Sequence, residues 1–200
     1  TKKPVAVKRA TGKAKKGAPL RTIDLFCGAG GITEGFRQAG YVSLYGNDVM
    51  PEAIETFKLN HPEAIADCRP IEEADPAEIR AKLGLEPGEL DVLVGGPPCQ
   101  GFSMAGRRQH DDPRNQLFAQ YLRLVEMVKP KIVLIENVRG FTMDFAVGED
   151  VTNYAGALKA VLSDDYEVHE RLLDLSQFGV PQARTRYFVI AVHESVTTAD

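Results

Sequence analysis

The chain has 200 residues, a mass of 21.9 kDa and a formal net charge of −4, with 44% hydrophobic and 26% charged residues. These values fit one globular domain, or one with a small appendage, and exclude wholesale disorder, a collagen repeat or a coiled coil. The average hides a split: residues 1–21 carry eight basic residues and no acid, whereas the remainder holds 16 basic against 28 acidic residues, −12. A nucleic-acid reading therefore cannot rest on bulk charge and needs a site. Three widely spaced cysteines, Cys27, Cys68 and Cys99, with no secretory h-region at the start, point to free thiols in a reducing compartment. No run approaches 18 apolar residues, and no C-x-x-C or H-x-x-x-H pair marks a structural zinc site. The expectation is a soluble, intracellular protein without a metal.

Residues 1–20, rich in Lys, Ala, Gly and Pro, read as a disordered basic arm ahead of a single domain over 21–200. The arm is either a solvated tail or a non-specific phosphate contact or nuclear address. From Arg21 onward, apolar β-rich runs alternate with helical patterns. Strands are expected at 21–26, 41–47, 63–66, 90–95, 131–136, 166–174 and 186–193, and helices at 31–39, 51–59, 75–83, 114–128 and 152–162. Pro51 and Pro76 stand near helix starts, where a missing N–H costs nothing. Near-continuous apolar strands spaced by helices imply an α/β doubly wound, mostly parallel seven-stranded sheet. The last two strands, joined without a crossover helix, are expected to pair antiparallel at an edge.

The first strand runs into Cys27-Gly28-Ala29-Gly30-Gly31 and then a helix. Glycines at a strand-to-helix turn let the backbone approach a ligand and aim helix N–H groups at it. Asp48, 20 residues after Gly28, stands where a carboxylate accepts the ribose hydroxyls of an adenosine-type cofactor, and Asp67 offers a further acceptor suited to an adenine amino group. The Gly-rich loop and Asp48 alone also fit a nicotinamide dehydrogenase.

Residues 95–103, GGPPCQGFS, follow the fourth strand and place Cys99 at the ligand-binding edge of the sheet, stiffened by Pro97-Pro98 and freed by Gly101. Cys99 is the candidate nucleophile; Cys27 and Cys68 read as small buried hydrophobes. Residues 101–114, with Arg107, Arg108 and Arg114, are either a closing loop that reaches phosphates or a solvated surface loop. Glu136 ends an apolar run, where desolvation keeps a proton available to donate. Arg184 and Arg186 alternate along a strand start and so share one face.

These blocks resemble the cytosine carbon-5 DNA methyltransferase family: DLFCGAGG (24–31), Asp48, Asp67, GGPPCQGFS (95–103), RNQLF (114–118), ENV (136–138) and QFGVPQARTR (177–186), in the family's order. The resemblance implies S-adenosylmethionine as cofactor. Its contacts would be Phe26, Cys27, Gly28, Ala29, Gly30, Gly31, Asp48, Val49, Asp67, Cys68, Pro98 and Leu117, with Asp48 on the ribose, Asp67 on the adenine amino group and Leu117 on the methionine side. Val49 stands where many relatives place an aromatic residue. The resemblance also implies a cytosine flipped out of DNA, attacked at carbon 6 by Cys99 and held by Glu136, Arg184 and Arg186. Relatives continue with a target-recognition region and a final Asn-containing helix. The expectation is therefore the catalytic part of a split or truncated enzyme, partnered by a second polypeptide, in a bacterial or phage setting or in a nucleus. A catalytically idle regulatory module and an RNA cytosine methyltransferase are the competing expectations.

Overall fold

In the computed structural model, which describes residues 17–98, 114–143, 145–147 and 150–197, the chain enters the sheet at β1 (Arg21–Leu25), whose last four residues are buried. There follow α1 (Gly31–Gln38), β2 (Val42–Asp48), α2 (Pro51–Asn60), β3 (Ile65–Cys68), α3 (Pro76–Leu83), β4 (Val92–Gly95), α4 (Arg114–Val128) and β5 (Ile132–Val138). A two-stranded hairpin of β6 (Phe145–Val147) and β7 (Asp150–Thr152) leads to α5 (Tyr154–Leu162), the long strands β8 (Tyr166–Asp174) and β9 (Thr185–His193), and a last turn of helix, α6 (Glu194–Thr197). Pro51 and Pro76 open α2 and α3, and the Asp75 carboxylate caps α3 by accepting from the Ala77 N–H at 2.9 Å.

The main sheet has seven strands in the order β3-β2-β1-β4-β5-β9-β8. The first five are parallel; β9 runs antiparallel to both β5 and β8. The antiparallel strand thus lies one place in from the edge, with β8 outside it. Strand order reverses between β1 and β4, the switch point at which doubly wound sheets open a crevice. Register brings the carboxyl ends level: Leu25 pairs with Asn47 and with Gly95, and Asp48 with Cys68. The larger of two core clusters runs along the sheet, with Ile23, Leu25, Leu93, Val133, Ile135 and Val189 as its strand layer, and a smaller one gathers Cys27, Ile54 and Phe57. Tyr121 of α4, fully buried, donates its hydroxyl toward Leu93 O at 3.2 Å and Leu134 O at 3.3 Å, clamping β4 to β5.

Three expectations need correcting. β3 is shifted two residues later, to 65–68, because it pairs with Tyr45–Asp48. β5 continues past Glu136 to Val138, since Asn137 and Val138 pair with Tyr187 and Arg186. Thr152 belongs to the hairpin rather than to α5, which starts after an Asn153 cap whose side chain accepts from the Gly156 N–H at 2.8 Å. Of the basic arm, residues 1–16 lie outside the described residues; 17–20 are exposed and irregular. Among the described residues no helix is long and apolar enough to cross a membrane, and no cluster of three metal-ligating side chains occurs.

Candidate active site

A cleft of about 520 Å³ opens at the switch point, within the size range of small-molecule sites. Its wall includes Phe26, Asn47, Asp48, Val49, Met50, Arg69, Ile71, Gly96, Pro98 and Leu117. The strand ends explain the assembly: Phe26 follows β1, Asp48 ends β2, Gly96 follows β4, and Leu117 comes from the first turn of α4. Phe26 adopts φ 57, an uncommon conformation for a residue with a Cβ, and Gly28 adopts φ 53, so the chain turns sharply out of the sheet.

Asp48 locks that turn. One carboxylate oxygen accepts from the Gly28 N–H at 2.8 Å and the other from the Met50 N–H at 2.9 Å. A carboxylate has about four lone-pair sites, so both oxygens keep capacity for ligand hydroxyls. Asn47, which the sequence reading did not single out, ties three segments together. Its carbonyl accepts from the Cys27 N–H at 3.0 Å, and its side-chain amide donates to Arg69 O at 2.9 Å and Asp67 O at 3.2 Å. On the other side of the loop, Gly30 (φ 91) packs against His61 so closely that a Cβ there would lie 2.6 Å from His61 Nε2. Ala29, Gly30 and Gly31 line a separate cleft with His61. Cys27, Gly28, Asp67 and Cys68 do not form the wall of the first cleft.

The Asp67 carboxylate accepts the Tyr45 hydroxyl at 2.6 Å. The same oxygen takes Arg69 Nε at 2.8 Å, an ionic contact rather than an aligned hydrogen bond. Arg69 reaches on to Glu78 at 3.2 Å and itself lines the cleft. Val49 is 61% exposed at the cleft, and among the described residues the only aromatic ring in the cleft wall is that of Phe26. Cys27 is buried, and burial, then the fields of Asp24 and Asp48, push its thiol far up. Cys68 is exposed, against the expectation of a buried hydrophobe, because its side chain ends the short strand β3 near the edge of the sheet.

At the other end of the crevice, Glu136 of β5 meets Arg186 of β9, Oε1 to Nε at 2.9 Å, with Arg184 Nη2 at 3.8 Å from the same oxygen. The shared face expected of the two arginines is therefore used on Glu136. The carboxylate faces guanidinium groups rather than a purely apolar surround. The next residue, Asn137, is buried and donates to Pro97 O at 3.1 Å, while its own amide oxygen accepts from the Val138 N–H at 2.8 Å. This latch fixes the Pro97-Pro98 lead-in beside Glu136; a Cβ on Gly96 would stand 3.4 Å from Glu136 Oε2. Behind it, Phe141 stacks between Phe118 of α4 and Tyr187 of β9, with ring centroids 5.6 and 6.0 Å apart. Cys99, Arg107 and Arg108 lie outside the described residues.

Asp48→Ala is expected to weaken binding of an adenosine-type cofactor by about 10- to 100-fold, since a charge-assisted hydrogen bond contributes about 1.5–3 kcal/mol. Because the variant also loses the bonds to the Gly28 and Met50 N–H groups, its unfolding temperature should fall too, and affinity is to be measured by titration calorimetry below that temperature. Unchanged affinity would remove Asp48 from the cofactor site.

A sequence profile described as C-5 cytosine-specific DNA methylase matches residues 20–199. The Type II methyltransferase M.AgeI of Thalassovita gelatinovora is 47% identical over 170 residues, covering 85% of this chain and 39% of that protein. M.XorII of Xanthomonas oryzae pv. oryzae is 36% identical over 176 residues, covering 87% and 41%. M.AquIA of Picosynechococcus sp. is 35% identical over 188 residues, covering 85% and 71%. A solved structure described as a DNA modification methyltransferase encoded within a prophage (E. coli) aligns with a TM-score of 0.76 at 32% identity, over 89% of this chain and 48% of that one. The chain thus spans about two fifths of the length of the first two relatives. With the profile covering nearly every residue of the sheet and its crevice, the chain belongs to the C-5 cytosine-specific DNA methylase family.

Proposed function

We propose that the chain carries the catalytic part of an enzyme that methylates carbon 5 of cytosine in DNA, with S-adenosylmethionine in the β1–β2–β4 cleft and Cys99 as nucleophile. The observation that carries this reading is the Asn137–Pro97 latch, which holds the Glu136–Arg186 pair against the segment entering Cys99. The cleft fits the cofactor: Asp48 presents free lone pairs to ribose hydroxyls, and Phe26, Val49, Ile71 and Leu117 offer apolar surface, while Asp67, held by Tyr45 and Arg69, stands outside its wall. When bound, S-adenosylmethionine supplies an electrophilic methyl group on a sulfonium.

The chain's own residues make the base reactive. The Cys99 thiolate adds to carbon 6, forming the S–C6 bond and moving electron density to carbon 5, which in unmodified cytosine is too poor a nucleophile. Glu136 holds ring nitrogen 3 and gives a proton there, while Arg186, with Arg184 beside it, holds Glu136 and the base oxygen. Once carbon 5 has bonded the methyl group, whose bond to the sulfonium sulfur breaks, the carbon-5 proton passes to water, Cys99 departs as thiolate and Glu136 takes back the nitrogen-3 proton, which restores the ring. The base must first leave the duplex, at a cost of a few kcal/mol.

Target reading is assigned to a second polypeptide. Its support is exposed apolar surface beside the site: Phe178, 64% exposed, and Val180 in the loop ahead of Arg184. The test is covalent trapping on duplex DNA containing 5-fluorocytosine, with cofactor, with and without polypeptide carrying the remaining length found in relatives. The expected result is a cofactor-dependent protein–DNA adduct. An adduct on RNA alone would change the substrate, and no adduct under any of these conditions would leave an idle binding module.

A further inference from the structure

Beyond Glu136, a groove of about 550 Å³ runs from Arg186 and Thr185 to the turn Arg139–Thr142, and the chemistry above makes no use of it. Among the described residues none that lines it is acidic, although the chain after residue 21 carries a net −12. Arg139 is exposed and makes no ion pair among the described residues, three positions after Glu136. Its turn is rigid: Thr142 Oγ1 donates to Arg139 O at 3.0 Å, Gly140 and Phe141 are buried, and Phe141 is wedged between Phe118 and Tyr187. Arg186 joins the two regions, since its Nε contacts Glu136 and its Nη1 donates to Thr185 O at 2.8 Å, fixing the guanidinium at the mouth of the groove.

A guanidinium on a fixed turn, a threonine hydroxyl opposite and, among the described residues, no carboxylate in the lining form a recognition surface for a phosphodiester, whose oxygens take Arg and Thr donors without reading sequence. We infer that this groove holds the sugar–phosphate backbone of the strand whose cytosine reaches Glu136, with Arg139 and the Thr185 hydroxyl on phosphate oxygens. The inference rests on the cytosine-in-DNA reading and gives it a docking direction. The strand crosses the carboxyl end of β5 toward the β9 start, leaving the base over Glu136 and its backbone over Arg139. The acidic body repels DNA elsewhere, so a local cationic groove also selects the approach.

The test is the salt dependence of binding of a fluorescein-labelled duplex, followed by anisotropy between about 50 and 200 mM NaCl. Arg139→Gln is expected to reduce the slope of log Kobs against log[NaCl] by about 0.9, the loss of one phosphate contact, and Arg139→Lys to restore it. Arg171→Gln, on the exposed edge strand β8, serves as the control and leaves the slope unchanged. A wild-type slope in Arg139→Gln, or an equal drop in Arg171→Gln, overturns the groove while a normal 5-fluorocytosine adduct would keep the methylation reading. A reduced slope without any adduct upholds the groove and overturns that chemistry. Absence of salt-dependent DNA binding by the wild-type chain overturns both.

Discussion

Cys99→Ser is expected to abolish methyl transfer, by roughly four to six orders of magnitude, and to eliminate the 5-fluorocytosine adduct, with cofactor affinity changed by less than about twofold. The reason is the nucleophile. A thiol is a few per cent thiolate near neutral pH and intrinsically reactive, whereas an unactivated serine hydroxyl is neither. The other two cysteines supply the contrast. Cys27 is buried under the Gly-rich loop, where burial and the negative fields of Asp24 and Asp48 hold its thiol protonated. Cys68 is exposed but sits at the end of β3, at the far side of the sheet from Glu136. Cys27→Ser and Cys68→Ser should therefore both retain the capacity to form the adduct. The measurement is tritiated methyl transfer beside denaturing-gel trapping. An adduct surviving in Cys99→Ser, or lost only in Cys27→Ser with folding intact, would mean the nucleophile has been misplaced.

What the sequence made legible, and what it hid, divides by the range of the interactions. The Gly-rich turn, Asp48 and the Glu136 end of an apolar run are local signals: composition and spacing within one strand and its following loop. The structure indeed gathers Phe26, Asp48, Val49, Pro98 and Leu117 around one cleft and sets Arg186 against Glu136. The hairpin of β6 and β7 escaped notice because three-residue strands carry too little alternation to register. The residues that organise the site escaped for another reason. Asn47 and His61 went unremarked and Asn137 entered only as the middle of the ENV block, since each is a buried polar group whose partner lies 20 to 40 positions away. A buried polar group demands a partner, yet nothing in the chain near Asn137 announces that its partner is Pro97 O. Periodicity reports which face is buried, not which distant carbonyl a side chain will meet.

Asp24 shows the same long-range logic with a large measurable consequence. Helix α1 needs acceptors for its first N–H groups, but its cap residue is Gly30, which brings no side chain. A serine or aspartate cannot replace it, since the left-handed backbone and the nearby His61 ring leave no room for a Cβ. Asp24, from β1, reaches that first turn instead: its carboxylate accepts the Thr33 hydroxyl at 2.6 Å. It is almost fully buried, and its second oxygen has no hydrogen-bond partner. Burial raises its pKa from 3.8 to about 7, against the lowering effect of the Thr33 hydrogen bond; the Asp48 charge adds to the rise. The folded protein therefore binds this proton more tightly than the unfolded chain does. The stabilisation is complete below about pH 4 and is lost as pH rises toward 7, amounting to about 4 kcal/mol at roughly 1.36 kcal/mol per unit. Between about pH 5 and pH 8 this group alone should lower the unfolding free energy by roughly 3 kcal/mol. Asp24→Asn keeps an acceptor for Thr33 and cannot ionise, so its urea-unfolding free energy should lack that decline, whatever constant cost its buried amide adds. Wild type and Asp24→Asn with parallel pH profiles would show that the carboxylate under the Gly-rich loop is ionised throughout, and that α1 is held by a permanent charge rather than by a titrating one.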